Sequence, residues 1–282
     1  MQSYFRFFLH LFPIFSTALF SVTIGSLKRN RFGIGQMSKT DYLITAKELL
    51  AEKFPAAKSA LIAGSVVRGE QTATSDIDIV VICDVKDLPK AYRGSLIYRD
   101  WPVELFVQND YSLAFFWQQD IACGMPVLIH MIAEGIIIPE ENEFARSLQN
   151  SARSVLAAGP AELSAEDINN RRYALTDLLD DMESPKNTAE LYGTLSALYQ
   201  KLGDFYLRAN RRWSGSAKSL TRAIKKAFPD LADNYETAFK SAFCGNTLPL
   251  RELADELLKP FGGRYWAGLN SYAPDEANRP IK

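Results

Sequence analysis

Cysteine and histidine are scarce in this chain. Its 282 residues include three cysteines, Cys83, Cys123 and Cys244, and two histidines, His10 and His130. The cysteines are widely spaced and odd in number, form no Cys-x-x-Cys pair, and make no metal-ligand spacing with either histidine. That argues against a zinc site or a disulfide framework and fits a reducing compartment. Excess charge is also lacking: 32 Lys and Arg stand against 33 Asp and Glu, a net charge of −1. No global field therefore draws the chain to nucleic acid or to an anionic membrane. No fixed-period internal repeat is visible. What is present, 47% hydrophobic and 23% charged residues, is the balance of a globular protein, and the length allows about two domains.

The N-terminus departs from this balance. Tyr4 to Leu27 is strongly apolar but is broken by Arg6, His10 and Pro13, and Lys28, Arg29 and Arg31 follow it. Three readings compete. Residues 1–36 are an over-extended start, with Met37 opening the folded part. Or they are a membrane anchor, close to the roughly 20 residues needed to span, with the basic cluster holding the remainder in the cytoplasm. Or they are a cleaved signal peptide, for which the basic n-region is thin.

The most informative stretch is Ala63-Gly64-Ser65, followed after ten residues by Asp76-Ile77-Asp78-Ile79. The run Ser75 to Ile82 reads as a strand, on which residues two apart share a face with Cα atoms roughly 6.6 Å apart. Two carboxylates side by side at about 4 Å repel by about 4 kcal/mol at an effective dielectric of 20. A divalent cation reverses that sign, and hard cations such as Mg²⁺ take carboxylate and phosphate oxygens. Glu104 is the lone charge in a second apolar strand, Trp101 to Val107. Such a Glu costs energy unless it is paired or metal-bound. If the two strands are neighbours, Asp76, Asp78 and Glu104 can hold two metals about 3.5–4 Å apart, the arrangement suited to in-line phosphoryl or nucleotidyl transfer.

An apolar residue, Gly-Ser, a gap of ten, Asp-x-Asp and a later apolar-flanked acid together resemble the DNA polymerase β nucleotidyltransferase superfamily. The motif covers residues 64–104. A wider resemblance, to small bacterial nucleotidyltransferases of the kanamycin- and streptomycin-resistance type, runs from about Thr40 to the C-terminus. It implies an α+β protein: a mixed β-sheet nucleotidyltransferase domain over residues 37–158, then an all-α helical bundle domain over 162–282 that binds substrate. It also implies two Mg²⁺ ions on Asp76, Asp78 and Glu104, and a nucleoside triphosphate, ATP in the first instance, as donor. The expected acceptor is a small hydroxylated molecule such as an aminoglycoside. No nucleic-acid partner is expected, and a membrane is expected only if residues 1–36 are a real anchor. A cytoplasmic location follows from the need for a triphosphate.

On this reading Gly64 lets the backbone approach the triphosphate, while Ser65 and Ser75 bind nucleotide and the Ser65 hydroxyl and N–H bond a phosphate. Glu104 completes the second metal and lies near the attacking hydroxyl, where it or a carboxylate of the helical domain serves as base. Arg68 and Lys218 are candidate phosphate contacts. Read from the residues alone, Arg68 is equally a solvated turn cation and Lys218 part of a solvated basic face running from Arg208 through Arg211, Arg212, Arg222 and Lys225 to Lys226. The acidic stretch Asp177, Asp180, Asp181 and Glu183 is either a solvated helix face or a contact for a cationic substrate. His130, in the apolar run Val127 to Ile132, reads as a satisfied core histidine. A rival function is an antitoxin-like regulatory module that adenylylates or binds a partner protein, although such proteins are usually short and lack the helical domain.

The periodicity predicts helices over 41–54, 111–122, 126–133, 140–158, 164–182, 188–213, 216–228, 230–243 and 248–261. It predicts strands over 58–63, 76–83, 95–98, 103–108 and 135–138, the fourth joined to the third around Asp100-Trp101-Pro102. Gly159-Pro160 marks the boundary between the mixed and the helical parts.

Overall fold

The computed structural model describes residues 39–270, so the apolar stretch over 1–36 and the last residues of the chain lie outside the described residues. Residues Gln36–Ala267 form one compact unit. Its first part runs α1 (Lys39–Lys53), β1 (Ser59–Ala63), α2 (Ser65–Arg68), β2 (Ile77–Cys83), β3 (Tyr92–Tyr98), β4 (Trp101–Asn109), α3 (Asp110–Cys123), α4 (Val127–Glu134), β5 (Ile136–Ile138) and α5 (Glu143–Ala158). Six helical segments follow: α6 (Ala165–Glu183), α7 (Thr188–Ala209), α8 (Lys218–Ala227), α9 (Pro229–Phe243), α10 (Leu248–Leu258) and a 3₁₀ turn, Lys259–Phe261. This is the expected α+β order, a mixed sheet and then helices only. Among the described residues no helix is long and apolar enough to cross a membrane.

The five strands are ordered β3-β4-β2-β1-β5. β1 and β2 are antiparallel and β2 and β4 parallel, and β3 returns antiparallel on β4. β2 is central and buried on both faces from Ile79 onward, which its β-branched run Ile79 to Ile82 permits. Alternate residues feed two cores. Ile77, Ile79 and Val81 pack with Val103, Leu105 and Val107 under Ala46 and Leu49 of α1. Val80 and Ile82 face the other way, onto Leu113, Ile129, Ile132 and Ala152 of α3, α4 and α5. A third core, built on Leu179, Leu198, Leu202, Phe205 and Leu258, holds the later helices together.

The β3–β4 turn is Arg99-Asp100, both with positive φ (47° and 66°), rather than the expected Asp100-Trp101-Pro102. A two-residue hairpin loop with positive φ at both positions matches the strand twist, and Asp tolerates it. Trp101 and Pro102 therefore belong to β4, where Pro102 sits one residue before the first β2 partner, Val103. α7 ends at Ala209, four residues early, and residues 210–217 form a connection with positive φ at Arg211 and Ala217.

The helical part is bonded to the end of α3 and to α5. Ser214 N–H donates to Gly124 O at 2.7 Å, Arg208 Nη2 to Ala122 O at 3.1 Å, and Trp213 Nε1 to Leu156 O at 2.8 Å. Arg208 is only 1% exposed. A Cβ at Gly124 would lie 2.2 Å from Arg208 Nε, so the guanidinium occupies the space that glycine leaves. The expected solvated basic face is corrected here: its first member is a buried joint between the two parts.

Candidate active site

β2 and β4 are parallel and in register, with Asp78 directly beside Glu104. Asp76 stands one residue before β2 rather than within it. One carboxylate oxygen from each of Asp76, Asp78 and Glu104 lies within 4.8 Å of the other two. On the same face Val80 and Ile82 are fully buried under helices, whereas Asp78 and Glu104 are half-buried. The covering helices therefore stop short of the acids and leave them reachable.

Burial, reinforced by the charges of Asp76 and Glu104, pushes the Asp78 carboxyl up to about 6. Arg68 and Arg93 oppose that rise. This is the behaviour of clustered carboxylates that want a counter-cation. The donor set is all oxygen and closely spaced, which fits a hard divalent ion such as Mg²⁺. Arg93 supplies part of the neutralisation: its Nη2 lies 2.6 Å and its Nε 2.8 Å from Glu104 Oε1, while its guanidinium covers the Phe106 ring at 5.1 Å. The sequence reading missed Arg93, because an Arg on an exposed strand carries no signal until the β3 register puts it next to Phe106 and diagonal to Glu104.

Gly64 is fixed by its neighbour. It has φ 79° and ψ −159°, and an added Cβ would stand 1.9 Å from Asp78 Oδ2. The missing side chain makes room for the acid. Ser65 Oγ donates to Ser75 Oγ at 3.1 Å, and Ser75 Oγ also accepts from Thr72 N at 2.8 Å. The two serines thus tie the Gly-Ser turn to the loop that delivers Asp76.

Arg68 closes α2 and is held by Glu70, Nε to Oε2 at 3.0 Å, with Glu134 Oε2 at 4.0 Å from its Nη1. Lys218 opens α8 with an exposed side chain, and Arg222, one turn on, reaches Glu70 Oε2 at 3.0 Å. Two members of the acidic stretch are engaged elsewhere: Arg264 binds Asp180 at 3.1 Å, Glu183 at 3.1 Å and Asp255 at 2.8 Å, pinning α6 to α10, while Asp177 and Asp181 are exposed. His130 is not a core histidine. Its side chain is 36% exposed and its Nδ1 lies 3.2 Å from Glu134 Oε1, because position 130 falls on the outer face of α4 between buried Ile129 and half-buried Met131.

A cavity of about 250 Å³ adjoins the acids, with Asp76 and Glu104 on one wall and Ser95, Leu96, Ile97, Pro102 and Val103 around them. It lies on the β3–β4 hairpin.

The family model described as a nucleotidyltransferase domain matches residues 43–116, a span from α1 into α3 that contains Gly64, Asp76, Asp78 and Glu104. The chain therefore carries a nucleotidyltransferase domain, that of a transferase, which supports transfer of a nucleoside monophosphate in general. Among solved structures the chain is similar to a nucleotidyltransferase-like protein from Exiguobacterium sibiricum 255-15, at 14% identity and a TM-score of 0.41, over 78% of this chain and 77% of that one. No curated protein matches the chain.

Proposed function

We propose that this protein is an Mg²⁺-dependent nucleotidyltransferase that moves AMP from ATP to a hydroxyl of a small acceptor and releases pyrophosphate. The observation that carries this reading is the in-register Asp78–Glu104 pair completed by Asp76, with ligand oxygens all within 4.8 Å of one another. Two bound Mg²⁺ ions would supply charge neutralisation at the transferring phosphoryl group and lower the pKa of the attacking hydroxyl. Asp76 and Asp78 would hold both ions, and Glu104 the one on the acceptor side. Glu104 also stands next to the hydroxyl's position and takes its proton directly or through water.

The Gly64-Ser65 turn offers a backbone N–H and a hydroxyl to the phosphate tail, Ser75 fixes that turn, and Arg68 and Lys218 balance phosphate charge. The acceptor enters from the hairpin side, where a cavity of about 250 Å³ abuts Glu104. That volume favours a small hydroxylated molecule, an aminoglycoside ring being the family-based choice. In this reading residues 37–158 are the catalytic domain, 162–282 close over it as the substrate-binding domain, and the enzyme works in the cytoplasm, where triphosphates are available.

The test is a screen of labelled triphosphates against a library of hydroxylated acceptors, read as pyrophosphate release. Magnesium-dependent release with ATP ahead of the other nucleotides is expected. Asp78→Asn should lower it by roughly a thousandfold or more, since it removes charge stabilisation made in the transition state. Release that persists without a divalent ion, or in Asp78→Asn, would refute the assignment.

A further inference from the structure

The catalytic part and α8 meet at a small charge network around Glu70. Its Oε2 takes Arg68 Nε from one side and Arg222 Nη2 from the other, each at 3.0 Å. One carboxylate oxygen thus holds two guanidinium groups, one from the end of the Gly64–Arg68 segment and one from the helical part. The pattern extends along α8. Leu220 and Ile224 are buried in the helical core, so Arg222 and Lys226, one turn apart, face outward. Glu134 of α4 feels the charge of Lys226 and stands 4.0 Å from Arg68. Two acids of the catalytic part therefore interleave with Arg68, Arg222 and Lys226.

Two features set this network apart from ordinary surface pairing. First, it begins four residues after Gly64, and the charge of Arg68 is felt at Asp78, so it borders the candidate active site. Second, it is uneven: a single carboxylate is asked to satisfy two forks, each built for bidentate anion contact. All three side chains are well exposed, 37% for Arg68, 41% for Glu70 and 46% for Arg222. Exposed pairs of this kind contribute little each. A multiply charged phosphate group, with several oxygens to offer, outcompetes one carboxylate for two guanidiniums.

We infer that Glu70 is an internal stand-in for the phosphate tail of the donor, holding Arg68 and Arg222 together as a clamp that spans the two parts of the molecule and competing with the triphosphate for it. The inference rests on the nucleotidyltransferase reading and goes beyond it by assigning Arg222 and Glu70. Nucleotide arrival would move Glu70 aside and tie α8 to the α2 segment through phosphate. Glu70 thereby keeps two like charges from repelling in the nucleotide-free protein, and it tunes affinity downward.

The test is calorimetric titration of the full chain with inorganic pyrophosphate in the presence of magnesium. Glu70→Gln removes the competitor and should tighten binding about two- to fivefold, the range of one exposed ion pair. Arg222→Ala should weaken it by roughly tenfold and Arg222→Lys by less, because lysine keeps the charge without the fork. In the Arg222→Ala background the gain from Glu70→Gln should shrink, since the two substitutions act on one contact. Unchanged or weaker binding in Glu70→Gln, or a full gain without Arg222, overturns the proposal. So does a fall in the thermal midpoint of Glu70→Gln without tighter binding, which would make the network merely structural. If the wild type binds pyrophosphate and turns over triphosphate but these shifts are absent, the clamp alone is wrong. If the wild type binds neither pyrophosphate nor triphosphate, both readings fall together.

Discussion

Asp78, half-buried, and Asp120, buried, are both aspartates with raised pKa values, yet their surroundings are opposite. Asp78 is pushed up to about 6 by burial and by two like charges, Asp76 and Glu104. Asp120 is pushed up to about 7 by burial, against hydrogen bonds from backbone N–H groups. Its Oδ2 accepts from Leu128 N at 2.8 Å and Ile129 N at 3.2 Å, so it satisfies the first turn of α4, whose preceding residue Pro126 has no side-chain donor or acceptor to cap it. The perturbed pKa is common to both and so identifies neither as functional. What separates them is whether the neighbours are donors that complete the carboxylate or acids that leave it wanting a cation. The first arrangement holds a helix in place; the second is suited to chemistry.

Gly64→Ala places a Cβ 1.9 Å from Asp78 Oδ2 at a backbone conformation, φ 79° and ψ −159°, that side-chain-bearing residues avoid. Either Asp78 swings out of the triad or the turn shifts. Transfer activity should fall by about a hundredfold or more, as a roughly 1 Å displacement of reacting groups does. Stability should drop by about 1–3 kcal/mol. A denaturant melt beside the pyrophosphate-release assay separates the two effects, and full activity in Gly64→Ala would remove Gly64 from the site.

Asp120 should respond the other way round. Asp120→Ala strips the partner from two buried N–H groups and should cost about 2–4 kcal/mol of folding stability, the sum of two unsatisfied donors at the lower end of their range. Pyrophosphate affinity of the protein that remains folded should be unchanged. Denaturant unfolding and calorimetry check the two halves, and a loss of affinity at full stability would place Asp120 in the active site after all.

How much of this was legible in the sequence follows the same division. The sheet was readable because β1, β2 and β4 are long apolar runs. Asp78 and Glu104 stood out because each interrupts such a run, and the register of β2 on β4 then brings them side by side. Asp120 gave no signal. It sits in an ordinary helix, and its partners are main-chain groups that no side-chain pattern reveals. Arg208 was hidden for a related reason: in the sequence it belongs to a basic run, and only the close approach of α7 to Gly124 buries it. Arg222 and Glu70 are 152 residues apart in charge-rich segments, so their meeting depends on tertiary packing alone. His130 misled because its apolar neighbours suggested burial, whereas the helix turns it outward toward Glu134.

An aspartate ordinarily titrates near 3.8, and in the folded protein Asp78 titrates near 6 and Asp120 near 7. Between the ordinary and the raised value the folded protein binds more protons than the unfolded chain. Both groups therefore favour folding most at acid pH, and their contribution is lost as pH rises from about 4 through 6 for Asp78 and through 7 for Asp120. Asp120→Asn should flatten the upper part of that fall and Asp78→Asn the lower part. Magnesium distinguishes them further. At pH 7.5 Asp78 is ionised, so saturating magnesium should relieve the clustered charge and raise the thermal midpoint of the wild type by about 2–4 °C, the shift expected for about 1 kcal/mol in a protein of this size. The same addition should do little in Asp78→Asn, and little in the wild type at pH 5, where the proton already occupies the carboxylate. In Asp120→Asn the full magnesium shift should persist, because backbone N–H groups leave Asp120 no place in a cation's shell. A magnesium shift that disappears in Asp120→Asn but survives in Asp78→Asn would reverse the two assignments.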